Sequence, residues 1–270
     1  KKRAKEIIRY IIENSRNAGN EDGKDNGNDS SRYNGKCNSK LNGKAGKKTN
    51  HKAGSKLDGK TDGKSRSGTC FHFEAAGDLF DDEMLEILAG AEEGLIQFEI
   101  GVQSVNEKTL KEINRKTDIE KIFKNVNRLK SFGNIHLHLD LIAGLPFEDY
   151  RSLQESFNRV YELRPHKLQL GFLKMLKGSE IRRQAERHGY RYRDYPPYEV
   201  LCNKYVSFDE MVEFKGIEEI FERYYNSGRF INSLDFVINR YFDAPFQFYR
   251  EFYLFNLKTG CLDRAMPSKE

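Results

Sequence analysis

Leu95-Ile96-Gln97-Phe98-Glu99-Ile100-Gly101-Val102-Gln103-Ser104 alternates apolar with polar or small residues, and Ile135-His136-Leu137-His138-Leu139-Asp140-Leu141-Ile142-Ala143 does the same. A period of two marks a strand with one apolar and one polar face. Working outward, residues 95–102 and 135–143 read as strands, and 71–75 and 167–173 as two more. Helical spacing fills the gaps at 81–89, with Asp81 as N-cap, and at 107–114, 119–132, 150–163 and 180–188. Strands separated by helices of this kind form parallel βαβ units.

Parallel strands covered on both sides are apolar on both faces. Here His72 and Glu74, then Gln97, Glu99 and Gln103, then His136, His138 and Asp140, then Lys167 and Gln169 fall on one common face. A curved sheet or barrel whose concave face lines a wet ligand cavity accounts for this pattern. An open sheet with one solvated face is the alternative, although such faces carry Lys, Thr and Glu more often than His and Gln.

The rest of the chain divides by composition. Residues 1–16 hold a helix, 2–14, with Ile7, Ile8, Ile11 and Ile12 on one side. Residues 17–68 contain ten Gly, and Val, Ile, Phe and Met are absent, so this low-complexity stretch reads as a disordered insertion that buries too little apolar surface to offset its ordering entropy. It also carries a net charge of +6 against +5 for all 270 residues, which leaves the remainder near neutral. A nucleic-acid-binding domain would concentrate basic charge on a folded face, so no nucleic-acid partner is expected. Residues 69–189 hold the α/β part. Residues 190–258 carry most of the aromatic rings, with helical spacing at 206–221 and 234–241, and read as a small helical domain before a tail at 259–270.

No apolar run is long enough for a membrane helix, which argues for a cytoplasmic protein with no membrane partner. Cys37, Cys70, Cys202 and Cys261 are too widely spaced for a close metal-ligand motif and read as free thiols, so no metal ligands are assigned.

The candidate ligand residues gather at the carboxyl ends of the strands, where α/β sheets and barrels place their sites. Glu74, Glu99 and Asp140 are carboxylates able to accept ribose hydroxyls, Gln103 donates and accepts, and Arg115 offers a fork for a carboxylate. Gly101 and Gly144 permit close backbone approach. Together they suit a small zwitterionic ligand bearing a ribose.

Phe98-Glu99-Ile100-Gly101-Val102-Gln103-Ser104 with Thr109-Leu110 and Ile113-Asn114-Arg115, followed by Asp140-Leu141-Ile142-Ala143-Gly144-Leu145-Pro146-Phe147-Glu148-Asp149, resembles the second half of the radical S-adenosylmethionine (SAM) core, in its anaerobic coproporphyrinogen-oxidase-like and cobalamin-binding branches. Tyr195-Pro196-Pro197-Tyr198-Glu199-Val200 and Lys215-Gly216-Ile217-Glu218-Glu219 resemble the helical DUF4080 domain attached to one group of them. The resemblance implies an α/β fold: a partial (β/α)6 radical-SAM-type barrel missing its first strands, plus a C-terminal helical domain. It implies SAM as a cofactor, a [4Fe-4S] cluster and, in some full-length members, cobalamin, with reductive cleavage of SAM to a 5′-deoxyadenosyl radical acting on an unknown substrate. Carried over by position, Glu74, Glu99, Gln103 and Ser104 would line the SAM site. Arg115 would meet the SAM carboxylate, Asp140 the ribose, and Gly144, Leu145 and Pro146 the adenine side. No catalytic residue is implied.

The family's C-x3-C-x2-C cluster motif is absent, so the chain is expected to begin at the second core helix and to be inactive alone. An Asp-x-His-x-x-Gly cobalamin signature is also absent. Two other readings fit the same residues. His136, His138 and Asp140 on one strand face suggest a metal-dependent hydrolase barrel, and the chain could also be a non-catalytic remnant. The substrate and the oligomeric state are not legible in the sequence.

Overall fold

The structure, a computed structural model, describes residues 2–21 and 69–260. Most of the low-complexity stretch 17–68 and of the tail 259–270 lies outside the described residues.

Four parallel strands, β1 (Phe71–Ala75), β2 (Ile96–Gln103), β3 (Ile135–Ala143) and β4 (Lys167–Phe172), pair in the order β1-β2-β3-β4. Helices α2 (Asp82–Ala89), α3 (Glu107–Glu112), α4 (Ile119–Ser131) and α5 (Tyr150–Glu162) connect them, and α1 (Lys2–Glu21) packs on α2. Parallel strands that pair in chain order, with crossovers of one hand, keep their helices on one side. This is an arc of a β/α barrel, the mixed α/β architecture expected from the sequence.

The elements start where short polar side chains can satisfy free backbone donors. Asp81 accepts from the Met84 amide at 3.0 Å, Asn106 from Lys108 at 3.0 Å, Asp118 from Lys121 at 3.0 Å and Asp149 from Ser152 at 2.8 Å. Strand alternation is strict on β2 and β3. Ile96, Phe98, Ile100, Leu137, Leu139 and Leu141 are buried on the convex side against Ile122, Val126, Phe157 and Val160.

The C-terminal region is helical, as expected, but richer than its sequence pattern suggested. A short hairpin of β5 (Arg191–Tyr192) and β6 (Val200–Cys202) precedes α7 (Phe208–Tyr224), α8 (Ile231–Tyr241) and α9 (Pro245–Thr259). The expected helix over 180–188 is a single turn, α6 (Glu180–Arg183), that gives way to turns. Phe157 and Tyr161 of α5 meet Phe221 of α7 and Tyr249 of α9 at ring distances of 5.2 to 6.2 Å, and Phe221 and Tyr249 meet each other at 4.9 Å. The C-terminal helices therefore share one hydrophobic core with the sheet layer. Among the described residues, no helix is long and apolar enough to cross a membrane.

Candidate functional site

Register converts the sequence pattern into a surface. Glu74 pairs across to Glu99, Glu99 to His138, and His138 to Lys167, while Gly101 pairs to Asp140 and Asp140 to Gln169. The polar residues of all four strands thus form one band on the concave face. Toward the carboxyl ends the band closes around a cavity of about 350 Å³ lined by Glu74, Glu99, Gly101, Gln103, Arg115 and Asp140.

Asp140 is the most perturbed group there. Burial, then the charge of Glu99, a hydrogen bond shared with it, and the charge of Glu74 push its carboxyl up to about 7. Its Oδ1 is buried without a hydrogen-bond partner, as is Oε1 of Gln103. Unpaired buried acceptors are costly unless something donates to them, which makes these two atoms the chemical signature of a ligand site.

Gln103 sits where the β2–β3 register slips, at φ 70°, in the left-handed region uncommon for a residue with a side chain. Its amide nitrogen folds back over Gly101, where an added Cβ would collide with it. Arg115, just past α3, donates from one guanidinium nitrogen to the Gly101 carbonyl at 2.8 Å, which fixes the fork and leaves its other donors available.

Gln103 and Arg115 also line a second cavity of about 630 Å³, walled by Glu112, Ile142, Leu145, Leu173, Ile181 and Gln184. The Oε1 of Gln184 is a third buried acceptor without a partner. Five of the nine expected ligand residues, Glu74, Glu99, Gln103, Arg115 and Asp140, therefore meet around one space, and Leu145 joins Gln103 and Arg115 around the adjoining one.

Three others serve the framework. Ser104 follows the bulge, is fully buried, and donates to Glu148, which also accepts from Ser156 at 2.9 Å. The Pro146 carbonyl accepts from Thr109 at 2.9 Å. The Gly144 carbonyl accepts from Tyr190 at 2.9 Å and Asn203 at 3.0 Å. Sequence reasoning passed over Glu112, Gln184, Tyr190 and Asn203, because nothing in their spacing links them to strands they reach only through the fold. Glu148 lay within the quoted motif, but its neutral-favouring burial and its two serine donors emerge only in three dimensions.

The other end of the band is a histidine tier. The Gln97 amide nitrogen lies 3.3 Å from both His72 Nδ1 and His138 Nδ1, and His72 Nε2 lies 3.1 Å from Glu99. The His138 ring stands 4.9 Å from that of His136, which packs 4.4 Å from His166. Burial and the surrounding cationic groups push His138 down to about 4, so it is neutral at ordinary pH. The metal-hydrolase arrangement is not formed. Among the described residues no group of three His, Cys, Asp or Glu side chains is disposed to hold a metal ion. His138 turns to Gln97, while Asp140 turns to Glu99.

Carboxylates, an amide and a guanidinium thus converge at the carboxyl edge of a parallel strand arc of the β/α-barrel class. Residues 45–160 match the radical SAM superfamily model, and residues 186–270 match the family described as protein of unknown function DUF4080. By this match the α/β part of the chain is a radical SAM superfamily domain.

Among curated relatives it is 29% identical over 129 residues to the uncharacterized protein YtqA of Bacillus subtilis, covering 47% of this chain and 40% of that protein. It is 36% identical over 76 residues to the oxygen-independent coproporphyrinogen III oxidase of Escherichia coli, covering 28% of this chain and 17% of that one. The solved structure of the E. coli coproporphyrinogen III oxidase HemN, a radical SAM enzyme, aligns at TM-score 0.35 and 29% identity over 39% of this chain and 24% of that one. The chain thus spans well under half the length of the curated relatives it matches.

Proposed function

We propose that the two joined cavities bind SAM and that the chain contributes the nucleoside-holding part of a radical SAM site acting on an unidentified small substrate. The observation that carries this is the convergence of Glu74, Glu99, Gln103, Arg115 and Asp140 on one cavity, with Asp140 Oδ1 and Gln103 Oε1 buried and unpaired. An ionised Asp140 accepts hydroxyl protons from a ribose. The free donors of Arg115 suit the ligand's carboxylate. Ile142, Leu145, Leu173 and Ile181 offer an apolar wall to a flat base, beside the acceptor of Gln184.

In this superfamily an iron–sulfur cluster supplies the electron that cleaves the sulfonium. The described residues do not fit that group. Cys70 and Cys202 are the two described cysteines, neither lines the two cavities, and the 270 residues contain no C-x3-C-x2-C. Binding rather than cleavage is therefore the activity expected of these residues alone.

Calorimetric titration with SAM and with S-adenosylhomocysteine tests the reading. Wild-type protein should bind both, and Asp140→Asn should weaken both by at least tenfold, about 1.4 kcal/mol. Because the carboxylate is the form that accepts two hydroxyls, wild-type affinity should rise as pH rises through about 7, and the variant should lose that rise. Absence of binding to the wild type at millimolar ligand, or equal affinity in the variant, defeats the assignment.

A further inference from the structure

We infer that the C-terminal segment is a clamp that positions the ligand loop, with Tyr190 and Asn203 as its positioning residues. This rests on the reading that the loop after β3 faces the ligand.

Gly144 opens that loop at φ 87°, and its carbonyl is gripped twice, by the Tyr190 hydroxyl at 2.9 Å and by Asn203 Nδ2 at 3.0 Å. Neither grip is loose. Tyr190 is buried, and the Asn203 amide oxygen is itself fixed by the Tyr205 and Val206 backbone amides, both at 2.8 Å. The site where a Cβ would stand on Gly144 is walled by Met211 at 3.4 Å and Val200 at 3.6 Å. All of these groups lie in the stretch that matches DUF4080, residues 186–270.

Three residues on, Phe147 holds φ 61°, a left-handed conformation that costs a side-chain-bearing residue energy and persists only where surroundings impose it. The surroundings are again C-terminal, for its ring packs 5.0 Å from that of Tyr205 and 5.6 Å from that of His188. His188 is buried and joined at both nitrogens, to the Tyr205 hydroxyl at 3.0 Å and to Glu112 at 3.3 Å. Glu112 lines the larger cavity together with Arg115 and Leu145. The C-terminal segment thus holds the first and last residues of the Gly144–Phe147 turn and a carboxylate that lines the same cavity as Leu145.

Ordinary packing would bury side chains against side chains. Here two side chains spend their hydrogen bonds on one backbone carbonyl of a turn that adjoins the ligand space, and a strained residue of that turn is wedged by two more. Such contacts fix where a backbone lies, to the fraction of an ångström that a binding site requires.

The test removes the grip with minimal change of shape. Tyr190→Phe deletes one hydroxyl. Asn203→Asp keeps the oxygen that serves Tyr205 and Val206 and deletes the donor to Gly144. Leu234→Ala, in α8 of the same segment, is the control that lowers stability without touching the loop. Native-state hydrogen exchange and S-adenosylhomocysteine titration are read on each protein.

The double variant should exchange the amides of residues 143–148 at least tenfold faster, with other protected amides little changed, and should bind S-adenosylhomocysteine at least tenfold more weakly. Leu234→Ala should leave loop exchange and affinity unchanged. If the double variant does not fold, Tyr190→Phe alone carries the same comparison. Unchanged exchange over 143–148, or exchange raised equally everywhere, overturns the clamp. Faster loop exchange with unchanged affinity overturns the positioning role. If the wild type does not bind S-adenosylhomocysteine, the ligand reading fails, and loop exchange alone still decides whether the clamp holds the loop.

Discussion

The two faces of the same four strands have opposite chemistry. On the convex face Phe98, Ile100, Leu137, Leu139 and Leu141 are almost wholly buried. On the concave face the residues between them are only partly covered and ionisable: Glu99, His138, Asp140. One residue of register separates a side chain that pays for folding from one that opposes it. Burial acts on the concave groups in both directions, raising an acid and lowering a base, so that Asp140 and His138, two residues apart, are both driven toward their neutral forms. The lesson is that a polar concave face costs stability at the very positions where burial holds its ionisable groups neutral.

The strongest test of that contrast lies on the convex face. Phe98 contacts the rings of Phe73 and Phe80 at 5.9 and 5.1 Å and is 2% exposed. Phe98→Ala should cost about 3–5 kcal/mol in chemical denaturation, from lost burial plus the cavity left behind. A loss below about 1 kcal/mol would mean that the convex layer is not the core of the fold.

This division into faces was legible in the sequence because parity along a parallel strand survives folding. Glu74, Glu99 and Asp140 could be placed on one side from spacing alone, and the structure aligns them. Parity fails where the register slips. At the slip Gln103 pairs with Leu141, a convex-face residue, yet its side chain lines the cavity, and no spacing rule announces a bulge. Ser104 stands one residue out of step with Gln103, entered the expected site only through the family resemblance, and faces Glu148. Helix α9 was missed for another reason: the rings of Phe246, Phe248, Tyr249, Phe252, Tyr253 and Phe255 spread over about half of the helix circumference, too broad an arc to stand out as a narrow 3.6-residue stripe. Tyr190 and Asn203 reach Gly144 across 46 and 59 residues of chain, a relation that only the tertiary fold creates.

An intermediate effect is expected at Asp140, now read as stability in the absence of ligand. Its carboxyl is raised from 3.8 to about 7, so between about pH 4 and 7 the folded state holds a proton that the unfolded state has released. Stability from this group is therefore present at the acid end and is lost as pH rises toward 7. Asp140→Asn cannot ionise, so it should equal the wild type near pH 4 and exceed it by about 1–2 kcal/mol at pH 8, after allowance for solvent screening. Urea midpoints across that range measure it. A variant less stable than the wild type at pH 8 would show that the carboxylate is a structural partner.

The smallest effect belongs to His138, and its sign is the reverse. Burial leads, with help from the charges of His136, Lys167, His72 and His166, in lowering it from 6.5 to about 4. Between those limits the unfolded chain takes up a proton that the folded chain refuses, so this group's contribution is intact above about pH 6.5 and falls away as pH drops toward 4. Gln is neutral throughout and can still answer the Gln97 amide that meets His138 Nδ1 at 3.3 Å. His138→Gln should lie within about 1 kcal/mol of the wild type at pH 8, since a half-buried polar exchange removes no core volume. From pH 6.5 to 4.5 it should lose stability less steeply, by at most one proton's worth, about 1.4 kcal/mol per pH unit. His136 and His166, both also lowered by burial, keep part of the slope in the variant. Asp140 runs the other way, so the cleanest reading comes from placing His138→Gln on the Asp140→Asn background. An acid limb of unchanged slope there would show that His138 titrates like an exposed imidazole, and the concave face would then be an ordinary solvated one at its histidine end.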